Sequence, residues 1–165
     1  MKILIISDTH GRNNYVYNTI KRVSPIDLII HLGDYDRGEE YIKDISPCPA
    51  LMVCGNNDFY DGLPKEVVTS IGKYIVMLTH GHRYGVNYST ADLLDAAKQN
   101  GADIVMYGHT HVPIIKRNDG IWIINPGSLG LPRQSGREST FMIMEIDEMN
   151  EVHFSLNYYK EEEEE

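Results

Sequence analysis

The chain has 165 residues, 42% of them apolar, and a formal charge of −9 at pH 7. That length and apolar content are enough for one domain with a real core, and they exclude a disordered chain. The acidic balance argues against broad binding to nucleic-acid backbone, but not against a phosphorylated substrate, because divalent ions reverse the local sign.

Ile3-Leu4-Ile5-Ile6 predicts a first strand buried on both faces. The run is too short for a signal-peptide core or a membrane span. It stops at Ser7-Asp8-Thr9-His10-Gly11. Asp8 and His10 lie two apart, so their side chains share a direction if the segment stays extended. Asn13 or Asn14 is expected to cap a helix through Val23, with Val16, Ile20 and Val23 on one face. A second strand is expected over 28–32, stopping at Gly33-Asp34, then a short helix over 38–45. A third strand over 50–53 stops at Gly55-Asn56-Asn57-Asp58. Strand and helix in alternation predict a parallel sheet with right-handed crossovers. Cys48 and Cys54 are too few for a secreted disulfide scaffold, so a cytoplasmic protein with reduced thiols is expected.

The second half changes character. Residues 66–79 read as two strands about an Ile71-Gly72-Lys73 turn, the second stopping at His80-Gly81-His82. Ser89-Thr90-Ala91-Asp92 predicts a capping box for a helix to Asn100, with Leu93, Leu94 and Ala97 inward and Gly101 as the stop. A strand over 104–107 runs into Gly108-His109-Thr110-His111. Residues 114–116 and 121–124 flank Asn118-Asp119-Gly120, a hairpin signal. Residues 141–146 and 152–158 predict a last hairpin. Leu4, Ile6, Ile29, Leu51, Val76 and Val105 are expected core positions. Residues 1–160 form the expected single domain, and the acidic run 161–165 the expected disordered tail.

Five apolar runs thus end in polar groups: Asp8/His10, Asp34, Asn56, His80 and His109/His111. His31 and His153 fall inside predicted strands. Any one such ending is ordinarily a turn. In an open α/β sheet, however, the carboxyl ends of parallel strands converge. Four imidazoles and three oxygen donors at one edge need something to satisfy them, and a pair of divalent cations would.

Asp-x-His, Gly-Asp, Gly-Asn-x-Asp, His-Gly-His and Gly-His-x-His, in that order from Asp8 to His111, resemble the calcineurin-like metallophosphoesterase superfamily, in its small microbial phosphodiesterase branch. Asn125-Pro126-Gly127-Ser128 resembles that branch's last loop. The resemblance implies an α/β fold, a four-layer α/β/β/α sandwich with its metal site at the C-terminal ends of the strands. It implies one metal on Asp8, His10 and His111, another on Asn56, His80 and His109, and Asp34 bridging them. Mixed nitrogen and oxygen ligands without thiolate suit Mn²⁺, Zn²⁺, Fe²⁺, Co²⁺ or Ni²⁺, and the resemblance favours Mn²⁺. The implied reaction is phosphoester hydrolysis, most simply of a diester, by a hydroxide shared between two ions about 3.5–4 Å apart.

The sequence departs from much of the superfamily at Asn57, where His is assigned to transition-state stabilisation or leaving-group protonation. Asparagine cannot act as a general acid, though its amide can hydrogen-bond a phosphoryl oxygen. The small phosphodiesterase branch often lacks this His as well. Asp58 is expected to orient a metal ligand, and His82 to touch substrate or support a ligand. Arg12, Arg133 and Arg137 are candidate phosphate contacts. The loops 35–38, 59–64 and 130–138 are expected to line the site. The alternative is a non-catalytic or weakly active metal-binding scaffold of the same fold, as in the retromer subunit that resembles this branch; the complete donor set favours the enzyme. A flavodoxin-like nucleotide module fails because Asp8-Thr9-His10 puts a carboxylate where an anion would need glycine amides. The expected partner is a small phosphate ester, with no extended nucleic acid and no membrane. A homo-oligomer is open through hairpin edges such as 121–124.

Overall fold

Side chains alternate along β1 (Lys2–Ile6), and both sets are buried. Ile3 and Ile5 enter one apolar cluster, Leu4 and Ile6 another. That double burial requires a layer on each face, and the computed structural model, which describes residues 1–59 and 62–161, supplies both.

The first sheet has the order β10-β9-β1-β2-β3, built from β1, β2 (Leu28–His31), β3 (Ala50–Met52), β9 (Thr140–Ile146) and β10 (Val152–Tyr158). β1, β2 and β3 run parallel, as the alternation of strand and helix predicts, while β9 and β10 add antiparallel. The second sheet has the order β4-β5-β6-β8-β7, built from β4 (Glu66–Ile71), β5 (Tyr74–Thr79), β6 (Ile104–Met106), β7 (Ile114–Asn118) and β8 (Ile121–Asn125). Here β5, β6 and β8 are parallel, flanked by antiparallel β4 and β7.

The two sheets meet through Ile3, Ile5, Ile30, Leu32 and Met142 on one side and Val76, Leu78, Met106 and Ile124 on the other. Helices α1 (Asn13–Val23) and α2 (Glu39–Ile45) cover the outer face of the first sheet through Val16, Ile20 and Ile42. Helix α3 (Ala91–Gln99) covers the second through Leu93, Leu94 and Ala97. The result is the expected α/β/β/α sandwich. Burying each of these large aliphatic side chains contributes roughly 1.5–3 kcal/mol, so the three clusters dominate the fold's stability.

Several local expectations are corrected. Leu51 is only partly buried, because β3 is the edge strand of its sheet. His31 is the last residue of β2 rather than interior to it. Residues 121–124 are no free edge, since β8 is paired on both sides and β7 is the outer strand. Neither Asn13 nor Asn14 caps α1. Arg12 takes the cap position without a side-chain bond, because a guanidinium has no acceptor for the first N–H groups; Arg12 N–H itself closes a tight loop on Thr9 O at 2.9 Å. The predicted capping box of α3 is replaced by a single bond from Ala91 N–H to Ser89 Oγ at 3.1 Å. The Asp119-Gly120 turn holds as read, with φ of +50° and +81°, the two left-handed residues of a tight hairpin. The acidic tail falls mostly outside the described residues, at 162–165; Glu161 accepts a hydrogen bond from Tyr15 Oη at 2.6 Å.

Candidate metal centre

Every predicted donor follows a parallel strand: Asp8 and His10 after β1, Asp34 after β2, Asn56 after β3, His80 after β5, His109 and His111 after β6. Because the two sheets pack face to face, these ends form one rim. The structure brings all seven residues together there.

The backbone does this in an unexpected way. Asp8, His10, Asp34, His109 and His111 all have positive φ, between +45° and +66°. Asp8 and His10 therefore do not share a direction by strand alternation. β1 has ended at Ile6, and the chain coils left-handed to turn both side chains inward. Such φ values are uncommon outside glycine and each is a local cost that the surrounding structure must hold in place.

Asp8, His10 and His111 offer ligand atoms within 4.8 Å of one another, and so do Asp8, Asp34 and His80. Asp8 Oδ2 accepts from Ser7 Oγ at 2.6 Å and from His109 N–H at 3.0 Å. Asp8 Oδ1 is buried and accepts no well-formed hydrogen bond, although the Nε2 atoms of His111, His80 and His10 lie 3.0, 3.8 and 3.9 Å away. The outer nitrogens set how these rings face. His80 Nδ1 is 2.7 Å from Leu32 O, His111 Nδ1 is 2.5 Å from Leu131 O and His10 Nδ1 is 3.0 Å from Asp36 Oδ2. Each of those acceptors can take an Nδ1 proton, which fixes its ring with Nε2 turned inward. His10 Nε2 and His111 Nε2 stand 3.3 Å apart. An orphaned carboxylate oxygen facing converging imidazole nitrogens fits a cation.

Asn56 Oδ1 joins them, 3.0 Å from both His80 Nε2 and His109 Nδ1. Asp34 Oδ2 is 3.4 Å from His80 Nε2 and 3.8 Å from His10 Nε2, so it faces both groups. Burial disfavours the Asp34 charge, but His80 and the Asn57 amides outweigh it and hold the carboxyl well below the usual range. Burial likewise opposes a charge on His80, and Asp34 and Asp8 outweigh it, raising its pKa. A metal ion arriving here would displace that proton.

Asn57 and Asp58 stand beside the cluster, and both bond to the residue Asp34 within it. Asn57 N–H reaches Asp34 Oδ1 at 2.9 Å and Asn57 Nδ2 reaches Asp34 Oδ2 at 2.8 Å. The Asp58 carboxylate accepts four backbone N–H groups, from Gly55, Asp34, Tyr35 and Asp36, at 2.6–3.2 Å. It ties the β2 and β3 loops together. The His82 ring lies 5.4 Å from that of His80 and 6.0 Å from that of His109, and borders a cavity of about 580 Å³. Of the predicted arginines, Arg12 is drawn onto Tyr15, its guanidinium 5.1 Å from the ring centre, while Arg133 and Arg137 are exposed.

Sequence reasoning missed Asp36, which grips His10, and Asn87, whose Nδ2 is 3.1 Å from His109 Nε2. Asp36 lies two residues after Asp34, a spacing that was a usable signal. Asn87 lies in an irregular loop with none. It also missed His31, fully buried, whose Nδ1 accepts Gly33 N–H at 3.1 Å, leaving Nε2–H to donate to Thr9 Oγ1 at 2.9 Å. Burial pushes the His31 pKa down to about 3. A depressed histidine is neutral in the fold and takes up its proton on unfolding, so its stabilisation is complete above about pH 6.5 and fades as the pH falls towards 3. In His31→Asn the pH dependence of urea unfolding is expected to flatten by up to about 1.4 kcal/mol per pH unit between pH 6 and 4. Equal slopes in the two proteins would contradict a neutral His31.

A family model of the calcineurin-like phosphoesterase superfamily domain matches residues 1–149. A probable metallophosphoesterase, YsnB of Bacillus subtilis, is 34% identical over 84% of this chain and 81% of its own. The phosphodiesterase MJ0936 of Methanocaldococcus jannaschii is 30% identical over 77% of this chain and 83% of its own. A solved structure of a predicted phosphoesterase from Streptococcus pneumoniae superposes with a TM-score of 0.79 at 31% identity, covering 96% of this chain and 97% of that one. Zinc-complexed Vps29 from Entamoeba histolytica shares the fold at 22% identity and a TM-score of 0.74, covering 96% of this chain and 99% of its own.

Proposed function

The chain belongs to the calcineurin-like phosphoesterase superfamily, and from that membership and its donor cluster we propose that it is a phosphodiesterase dependent on two divalent metal ions, with Mn²⁺ the first choice. The observation that carries this reading is the buried, unsatisfied Asp8 Oδ1 facing three imidazole Nε2 atoms. Asp8, His10 and His111 would hold one ion and Asn56, His80 and His109 the other, with Asp34 between them. Bound there, the ions supply Lewis acidity, lowering the pKa of a water from about 16 towards neutrality and offsetting charge on the phosphoryl oxygens.

The remaining residues act on this centre. Asn57 places both of its donors on Asp34 and so fixes the orientation of the bridging carboxylate. Asp58 fixes the loop that carries Asp34 through the backbone amides on either side of it. His82 borders the cavity beside the centre and would meet an ester oxygen there. With asparagine at position 57 there is no second imidazole to protonate a poor leaving group, which favours activated or acidic alcohols. Cys48 and Cys54, neither of them in a disulfide, suit a cytoplasmic setting. Among the described residues, no helix is long and apolar enough to cross a membrane.

Hydrolysis of a chromogenic phosphodiester and the matching monoester tests the proposal. Diester turnover should vanish on chelation and return with Mn²⁺. Tight metal binding with no turnover of either ester would contradict it and support the scaffold reading, which the fold shared with Vps29 motivates.

A further inference from the structure

His10, His80 and His111 face the centre with Nε2, and His109 is the exception. Its Nδ1 lies 3.0 Å from Asn56 Oδ1 and 3.3 Å from His80 Nε2, while its Nε2 lies 3.1 Å from Asn87 Nδ2. Asn87 is exposed, but its place is built. Gly85 turns left-handed at φ of +59°, and its carbonyl accepts from Tyr88 N–H at 3.0 Å. Inside that turn Val86 is buried in the apolar cluster that also holds Tyr107, on the segment leading to His109. The turn and its buried anchor present Asn87 to the outer nitrogen of His109. An amide nitrogen donates and an amide oxygen accepts. The contacts of Asn56 and Asn87 therefore agree on one tautomer, with the ring proton on Nδ1 and the lone pair on Nε2. That tautomer is the wrong one for a ligand, because Nδ1 faces the donor cluster and needs its lone pair free to meet a cation.

Resting on the metal-dependent phosphoesterase reading, we propose that Asn87 is the positioning residue of His109, and that its amide turns over when the centre is loaded. His109 loses its Nδ1 proton to solvent and takes one up on Nε2. Asn87 then swaps the places of its Nδ2 and Oδ1 and accepts that Nε2–H on Oδ1. Asparagine serves both states; aspartate, which only accepts, serves the loaded state alone, and alanine serves neither. The outer nitrogens of the other three imidazoles meet Leu32 O, Leu131 O and Asp36 Oδ2, groups that accept without any such change. The half of the centre formed by Asn56, His80 and His109 is therefore the half whose loading involves a change of tautomer, and Asn87 is the side chain that accommodates it.

Heteronuclear NMR of the histidine rings in the ion-free protein tests this without reference to turnover. In wild type His109 should carry no proton on Nε2. Asn87→Asp should place one there. Mn²⁺ titration supplies the second arm. Asn87→Ala should weaken the binding of one ion at least tenfold, as for other groups that orient a metal ligand, while Asn87→Asp keeps affinity within threefold of wild type or tighter. Asn87 is exposed and lies outside the apolar clusters, so thermal melts of both variants should match wild type. An Nε2 proton on wild-type His109, its absence in Asn87→Asp, unchanged Mn²⁺ affinity in Asn87→Ala, or the same loss in both variants would each overturn the proposal. Absence of ester turnover in a protein that passes both arms, in contrast, would sink the phosphoesterase reading and leave the role of Asn87 standing.

Discussion

Asp34→Asn is expected to lower metal-dependent turnover by about a thousand-fold while the fold is retained. Removal of one preorganised electrostatic contact commonly costs 10²–10³ in rate, and this carboxylate is the proposed bridge between two ions. The substitution preserves volume but removes the charge that both proposed metal positions would share. It also conflicts with Asn57. Both Asp34 oxygens accept from Asn57 donors, at 2.9 and 2.8 Å. An asparagine at position 34 must therefore set its own amide against one of those donors in either orientation. Steady-state kinetics with the chromogenic diester, beside a circular-dichroism melt, separates the effect from unfolding. Wild-type turnover in this variant would sink the bridging assignment.

The second large effect is expected from a residue that binds nothing. A Cβ at Gly55 would fall on Asp34 Oδ1 and within 2.6 Å of Asp34 N. Backbone and a buried carboxylate cannot move aside cheaply, because Asp58 and Asn57 pin them. Gly55→Ala should therefore cost about 1–3 kcal/mol of stability through overpacking. It should also weaken Mn²⁺ binding at least tenfold, in line with changes to groups that orient metal ligands. Gly108 plays the same part for Asp8, since a Cβ there would meet Ser7 Oγ and lie 2.6 Å from Asp8 Oδ2. Unfolding midpoints and Mn²⁺ titration read both consequences. A Gly55→Ala protein with wild-type stability and metal affinity would contradict the close approach.

These two glycines show what sequence reading can and cannot reach. The apolar runs at 3–6, 28–32, 74–78 and 104–107 were legible because double burial leaves continuous β-branched stretches, and their polar endings were legible because each run stops abruptly. Convergence followed from parallel pairing. The left-handed turns at Asp8, His10, Asp34, His109 and His111 were not legible, since nothing in those residue types forces positive φ. Tertiary contacts impose it, and they also decide that Asn57 spends both donors on Asp34. Leu51 and the 121–124 strand were misjudged for a related reason: sheet order, which makes β3 an edge and β8 interior, is set by long-range pairing. The supporting contacts of Asp36 and Asn87 likewise depend on loops that come together only in the fold.

The most direct test of the two-metal centre is a titration of chelated, dialysed protein with Mn²⁺, followed by calorimetry and electron paramagnetic resonance. The account predicts two ions per chain and a spin-coupled signal, with the second ion lost in His80→Ala. Saturation at one uncoupled ion per chain, or no tight binding, would contradict it.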